Sequence, residues 1–102
     1  MYYVTYRNVL KTHATLEDYR RGLRHVWPTL QSWGANRVEM FQELYDESGA
    51  FYTRYFIDSL DQWNTHVMSA EFASMLKHLD GILDLSMSEV TVSVSLPTGI
   101  EE

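Results

Sequence analysis

The chain contains no cysteine, which excludes disulfides, thiolate nucleophiles and cysteine-ligated metals. Basic residues are scarce: eight Lys and Arg stand against fourteen Asp and Glu, a net charge of −6. Nucleic-acid binding relies on phosphate neutralisation by a basic surface, so it is not expected. No apolar stretch approaches the roughly 20 residues needed to span a bilayer. The first residues, Met1-Tyr2-Tyr3-Val4-Thr5-Tyr6, lack the basic and apolar regions of a signal peptide. Gly-rich phosphate loops, nucleophile elbows and paired-carboxylate motifs are also missing. The expectation is a soluble, cytoplasmic protein with no nucleic-acid and no membrane partner.

Aromatic residues, by contrast, are plentiful. Seven Tyr, four Phe and three Trp are many for 102 residues, a length with room for one modest core. Each large ring can bury roughly 150–250 Å², so these rings either fill that core or line a cavity or a subunit contact.

Six segments can be read by periodicity. Residues 2–10 are aromatic and β-branched and read as a strand. Thr15 suits a helix N-cap, with Asp18 three residues later. Leu16, Tyr19, Leu23, Val26, Leu30 and Trp33 then follow at helical spacing, with Arg20, Arg21 and Arg24 mostly off that stripe and Gly34 as a stop. Pro28 inside the pattern predicts a kink near Arg24 to Pro28 or a break into two pieces. Residues 37–45 and 50–57 form a hairpin around Asp46-Glu47-Ser48-Gly49. Ser59 caps a second helical region, with Gln62 completing a capping box. Ser69 caps a fresh start within that region, and Gly81 ends it. Residues 89–96 alternate strictly and form a fourth strand.

The order strand, helix, strand, strand, helix, strand is the split βαβ pattern of an α+β, ferredoxin-like βαββαβ domain. It predicts a four-stranded antiparallel sheet over 1–96 with both helices on one face, followed by a tail over 97–102. Period two assigns the faces. Val4, Tyr6, Val38, Met40, Leu44 and the valines of the fourth strand go under the helices. Tyr3, Thr5, Arg7, Glu39, Phe41, Glu43, Tyr45, Thr91 and Ser93 face the open side. The third strand is ambiguous: either Tyr52, Arg54 and Phe56 or Phe51, Thr53, Tyr55 and Ile57 lie open. With the first choice the open face is too ring-rich for a lone monomer, and a closed homodimer solves that problem.

The chain resembles the dimeric α/β-barrel superfamily, which includes antibiotic-biosynthesis-monooxygenase-like, haem-degrading, NIPSNAP-like and stress-responsive barrel proteins. The stretch from Tyr55 to Trp63, a strand running into a capped helix, carries the resemblance together with Ser69-Ala70-Glu71-Phe72. It implies that two open sheet faces meet as a barrel, and that each protomer encloses a pocket between sheet and helices. Haem-degrading members use a helical His ligand plus an Asn and a Trp. Here the ligand position falls near Leu76, with His78 two residues on and Asn8 and Trp63 out of register. No haem or other cofactor is therefore expected.

Among the four histidines, His13 reads as a loop residue and His25 as a surface one, while His78 joins Lys77 in a last helical turn. His66, one turn after Trp63, sits where the resembling family borders its pocket. It reads either as a structural or surface residue or as the candidate acid/base or ligand-contacting group. The histidine spacings match no compact metal motif, so no metal site is expected. Arg7 and Arg54 either anchor an anionic group or pair with Glu39 or Glu43. The candidate ligand-binding set is Tyr3, Arg7, Phe41, Tyr52, Arg54, Phe56, Trp63 and His66. The leading expectation is a homodimer whose mostly apolar pocket takes an aromatic or acyl-chain molecule with one polar end. If it is an enzyme, cofactor-independent oxygenation, cyclisation or isomerisation is the class. The alternative is a non-catalytic, stress-associated dimer without ligand.

Overall fold

The structure, a computed structural model, describes residues 1–100. Strand β1 (Tyr2–Asn8) leads into helix α1 (Leu16–Ser32), strands β2 (Ala35–Phe41) and β3 (Phe51–Ile57), helices α2 (Leu60–Val67) and α3 (Ala70–Leu79), and strand β4 (Glu89–Val94). The four strands form one antiparallel sheet in the order β2-β3-β1-β4. This is the ferredoxin-like α+β arrangement that the element order implies.

Local chemistry sets the helix ends. The Thr15 hydroxyl accepts from the backbone of Asp18, and the Asp18 carboxylate accepts from the backbone of Thr15, a complete capping box. Arg20, Arg21 and Arg24 pair with Glu17 and Asp18 on the solvent side of α1. The helix is continuous through Pro28, so of the two expectations, a kink or a break into two pieces, the break does not occur. Gly34 follows at φ 105°, a left-handed conformation that glycine adopts at little cost. Ser59 and Ser69 cap α2 and α3 as their positions suggest. The Gln62 side chain, however, does not close a box at Ser59. It donates to the Ser32 carbonyl at 3.4 Å and ties α2 to the end of α1.

The sheet departs from expectation at two edges. β2 stops at Phe41 instead of reaching Tyr45. Beyond it the Asp46 carboxylate accepts from the backbone of Ser48, and the Ser48 hydroxyl accepts from the backbone of Ala50. Such local bonds offer the backbone an alternative to the ladder. Leu44 and Tyr45 are consequently 85% and 92% exposed, and Leu44 is not under the helices. The valines of β4 share the helix-side face with Val4 and Tyr6, their register partners. They are nevertheless 51–57% exposed, because β4 is an edge strand. In β3 the alternation is resolved: Phe51, Thr53, Tyr55 and Ile57 are buried, and Tyr52, Arg54 and Phe56 lie on the open face. Residues 97–100 carry no regular element, and the rest of the expected tail, 101 and 102, lies outside the described residues.

Candidate functional site

A cavity of about 280 Å³ lies between the helix-side face of the sheet and the three helices. Its walls are mostly apolar. α1 contributes Leu23, Val26 and Leu30, and α3 contributes Phe72, Met75, Leu76 and Leu79. Tyr6 and Asn8 of β1, Tyr55 of β3, Tyr19 of α1 and Trp63 of α2 bring polar atoms, as do Ser88 at the approach to β4 and Glu89 at its start. Among the described residues lining the cavity there is no histidine or arginine.

The polar end is built across the sheet. Thr53 Oγ1, fully buried, accepts from Asn8 Nδ2 at 3.1 Å and shares a 2.6 Å hydrogen bond with the Tyr19 hydroxyl. Tyr19 is held edge-on by Phe51 at 4.9 Å, Tyr6 meets Tyr55 at 5.9 Å, and Tyr55 meets Trp63 at 5.5 Å. Burial pushes the Tyr6 hydroxyl up to about 12, while the neighbouring Trp63 N–H pulls the other way. Burial likewise raises Tyr19, against the pull of its hydrogen bonds, and raises Tyr55 well above the usual phenol range. All three therefore stay neutral near pH 7. They can donate and accept hydrogen bonds, but they do not serve there as standing bases.

The residues singled out in the sequence fall on different sides of the sheet. Trp63 lines the cavity. His66 does not; its ring is stacked parallel to that of Trp33. Tyr3, Arg7, Phe41, Tyr52, Arg54 and Phe56 are on the opposite, open face. There Arg54 is engaged on every side. It donates to Thr5 Oγ1 at 3.2 Å and Glu39 at 3.4 Å, and lies 4.8 Å from the Phe41 ring and 5.9 Å from that of Tyr3. Arg7 donates to the Ser48 hydroxyl at 3.3 Å, and the Tyr52 hydroxyl donates to Glu43 at 3.0 Å. Phe41 stacks on Tyr52, and Tyr3 meets Phe56 edge-on. His25 and His78 face each other between α1 and α3, with ring centroids 6.3 Å apart.

The cavity does not suit the haem that some members of the resembling superfamily carry. The ligand position, Leu76, offers hydrocarbon, and His78 turns toward His25 instead. The polar end, on the other hand, was only partly visible in the sequence. Period two places Tyr6, and by extension Asn8, under the helices. Nothing in the local pattern pairs Asn8 with Thr53, 45 residues away.

A ferredoxin-like sheet with an apolar cavity beneath its helices is the architecture of this domain. Its fold is the one found in antibiotic biosynthesis monooxygenases. The chain is similar to SnoaB, a cofactor-independent oxygenase from Streptomyces nogalater, with a TM-score of 0.73 at 13% identity over 98% of this chain and 97% of that one. An antibiotic biosynthesis monooxygenase superposes with a TM-score of 0.65 at 18% identity over 95% of this chain and 100% of its own. A protein from Pseudomonas aeruginosa gives 0.66 at 16% identity, with 94% of both chains covered. At these identities the likeness is one of fold. No protein-family model matches the sequence, and no curated protein matches it significantly.

Proposed function

We propose that this chain is a homodimeric small-molecule-binding protein whose cavity takes an aromatic or acyl-chain molecule with one polar end, and acts on it without a bound cofactor. Oxygenation, cyclisation or isomerisation is the reaction class. The observation that carries this reading is the cavity itself. Its volume is near the lower end of ordinary ligand pockets, and a few polar groups interrupt its mostly apolar walls. The likeness to a cofactor-independent oxygenase supports the cofactor-free part of the reading. Tyr6, Asn8 and Tyr19 would meet the polar end of the ligand, and Trp63 would stack beside its body. His66 would act at one remove, by holding the Trp33–Trp63 wall.

Dimerisation through the open face is part of the proposal. Phe41, Tyr52, Phe56 and Tyr3 form a continuous ring surface there, threaded by Arg54 and Arg37. Such a surface is better covered than left in water.

A titration with 1-naphthol, followed by tryptophan fluorescence, tests the cavity. One saturable site per chain is expected, and a linear, unsaturable response would overturn the ligand reading. Sedimentation at micromolar concentration tests the dimer, and a 12 kDa species would refute it. A second reading, a dimer that is not an enzyme, draws on one observation. The tyrosines of the cavity are all held neutral, so none of them presents a ready base.

A further inference from the structure

The polar end of the cavity has a feature that its other residues do not share. Asn8 and Tyr19 each have a hydrogen bond to Thr53 Oγ1. The Tyr6 hydroxyl has the Trp63 N–H beside it. Ser88 is different: it lines the same cavity, and its Oγ is buried with no hydrogen-bond partner in the protein. It is the one such buried side-chain atom among the described residues.

Folded proteins rarely leave a buried hydroxyl unpaired, and each exception calls for a cause. The backbone explains why the residue is where it is. The N–H of Ser88 donates to the Leu85 carbonyl at 3.3 Å and closes a single 3₁₀ turn, Leu85–Met87. β4 starts at the next residue. The last register pair is Arg7 with Glu89, so one step further places Ser88 across from Asn8. The strand register thus carries this hydroxyl to the polar end, where Glu89 also borders the cavity. A serine side chain has three staggered positions about χ1, and none of its hydrogen bonds would be broken by turning toward the cavity.

We infer that Ser88 is the specificity-determining contact for the polar end of the bound molecule. Its hydroxyl would donate to a carbonyl, or accept from a phenolic hydroxyl, on an otherwise apolar ring system. Tyr6, Asn8 and Tyr19 then complete the polar end around that contact. The inference rests on the cavity being a ligand site.

The test compares naphthalene with 1-naphthol, two probes that differ by one hydroxyl, in the whole chain and in Ser88→Ala. Tryptophan fluorescence gives the affinities, and thermal melting monitors the fold. In the unaltered protein the preference for 1-naphthol over naphthalene should exceed that in Ser88→Ala by about two- to tenfold, the size that one hydrogen bond supplies. Ser88→Ala should melt no lower than the parent, since it loses no partner. Ser88→Thr keeps a hydroxyl and should keep the preference. If 1-naphthol binds but the preference survives in Ser88→Ala, the role of Ser88 is overturned while the ligand reading stands. If Ser88→Ala melts lower with the preference intact, the hydroxyl is a structural group served by water, and the inference again fails. If neither probe binds saturably, the ligand reading falls and takes this inference with it.

Discussion

The imidazole of His66 lies parallel to the indole of Trp33, with ring centroids 5.2 Å apart and 3° between the planes. Trp33 is buried, and it meets both Trp63 and Phe72 at 6.2 Å. The last two rings are cavity walls. A half-buried histidine outside the cavity is thereby joined to its lining through one ring. The His66 carbonyl also accepts from the Ser69 hydroxyl at 2.5 Å, at the junction of α2 and α3.

His66→Ala is therefore expected to cost stability. A well-placed aromatic pair contributes about 0.5–1.5 kcal/mol, which in a domain of this size lowers the melting temperature by several degrees, at roughly 4–8 °C per kcal/mol. His66→Phe preserves the stack and should recover most of the loss. An alanine variant that melts with the parent would mean that the stack holds nothing.

Thr53 offers a sharper case. It is fully buried, and two side chains depend on its hydroxyl. Thr53→Val keeps the shape and removes the oxygen, leaving Asn8 Nδ2 and the Tyr19 hydroxyl without their partner. Orphaned buried groups cost about 1–3 kcal/mol each. Urea unfolding should show a midpoint shift of that order, whereas Thr53→Ser should shift it far less. Equal midpoints for the valine and serine variants would count against the network.

How the sequence anticipates this arrangement depends on the range of the contacts. The capped helices were legible at Thr15, Ser59 and Ser69, because a cap is decided within three residues. The face assignments of β1 and β4 held for the same reason, since period two is local. β3 was undecided because rings occupy both of its parities. Its burial is settled by partners on β1 and β2, which no strand carries in its own pattern. Local bonding at Asp46 and Ser48 ended β2 early. The cavity lay furthest from view. Its polar end joins Asn8, Tyr19, Thr53 and Ser88 from four separate segments, and a strand pattern shows only which way each of them points.

The tyrosines give the protein a definite response to alkali. Burial lifts Tyr6 from 10.0 to about 12, and Tyr19 and Tyr55 are raised as well. In the unfolded chain these phenols ionise near pH 10, so above that pH the unfolded state has shed protons that the folded state still holds. Stability is thus complete below about pH 10 and falls as pH rises toward 12. A two-unit shift corresponds to roughly 2–3 kcal/mol for Tyr6. Melting temperatures measured from pH 8.5 upward should fall steeply past pH 10, and Tyr6→Phe should flatten that fall. A Tyr6→Phe profile parallel to that of the parent would show that Tyr6 is not responsible.

Leu76 puts the cavity under direct test. It lies on α3, a helix with no fully buried residue, and its side chain borders open space rather than packed core. A larger apolar side chain there gains dispersion contacts with walls that now face a void. In a filled core the same change would force strain of typically 1–3 kcal/mol. The two cases differ in sign. Leu76→Phe should leave the melting temperature unchanged or raise it, and at the same time weaken 1-naphthol binding, because the ring occupies the volume that the probe needs. A destabilised variant with unaltered binding would place the probe elsewhere and Leu76 in packed core. Loss of binding with stability retained would locate the ligand between α3 and the sheet, next to Trp63 and the tyrosine end.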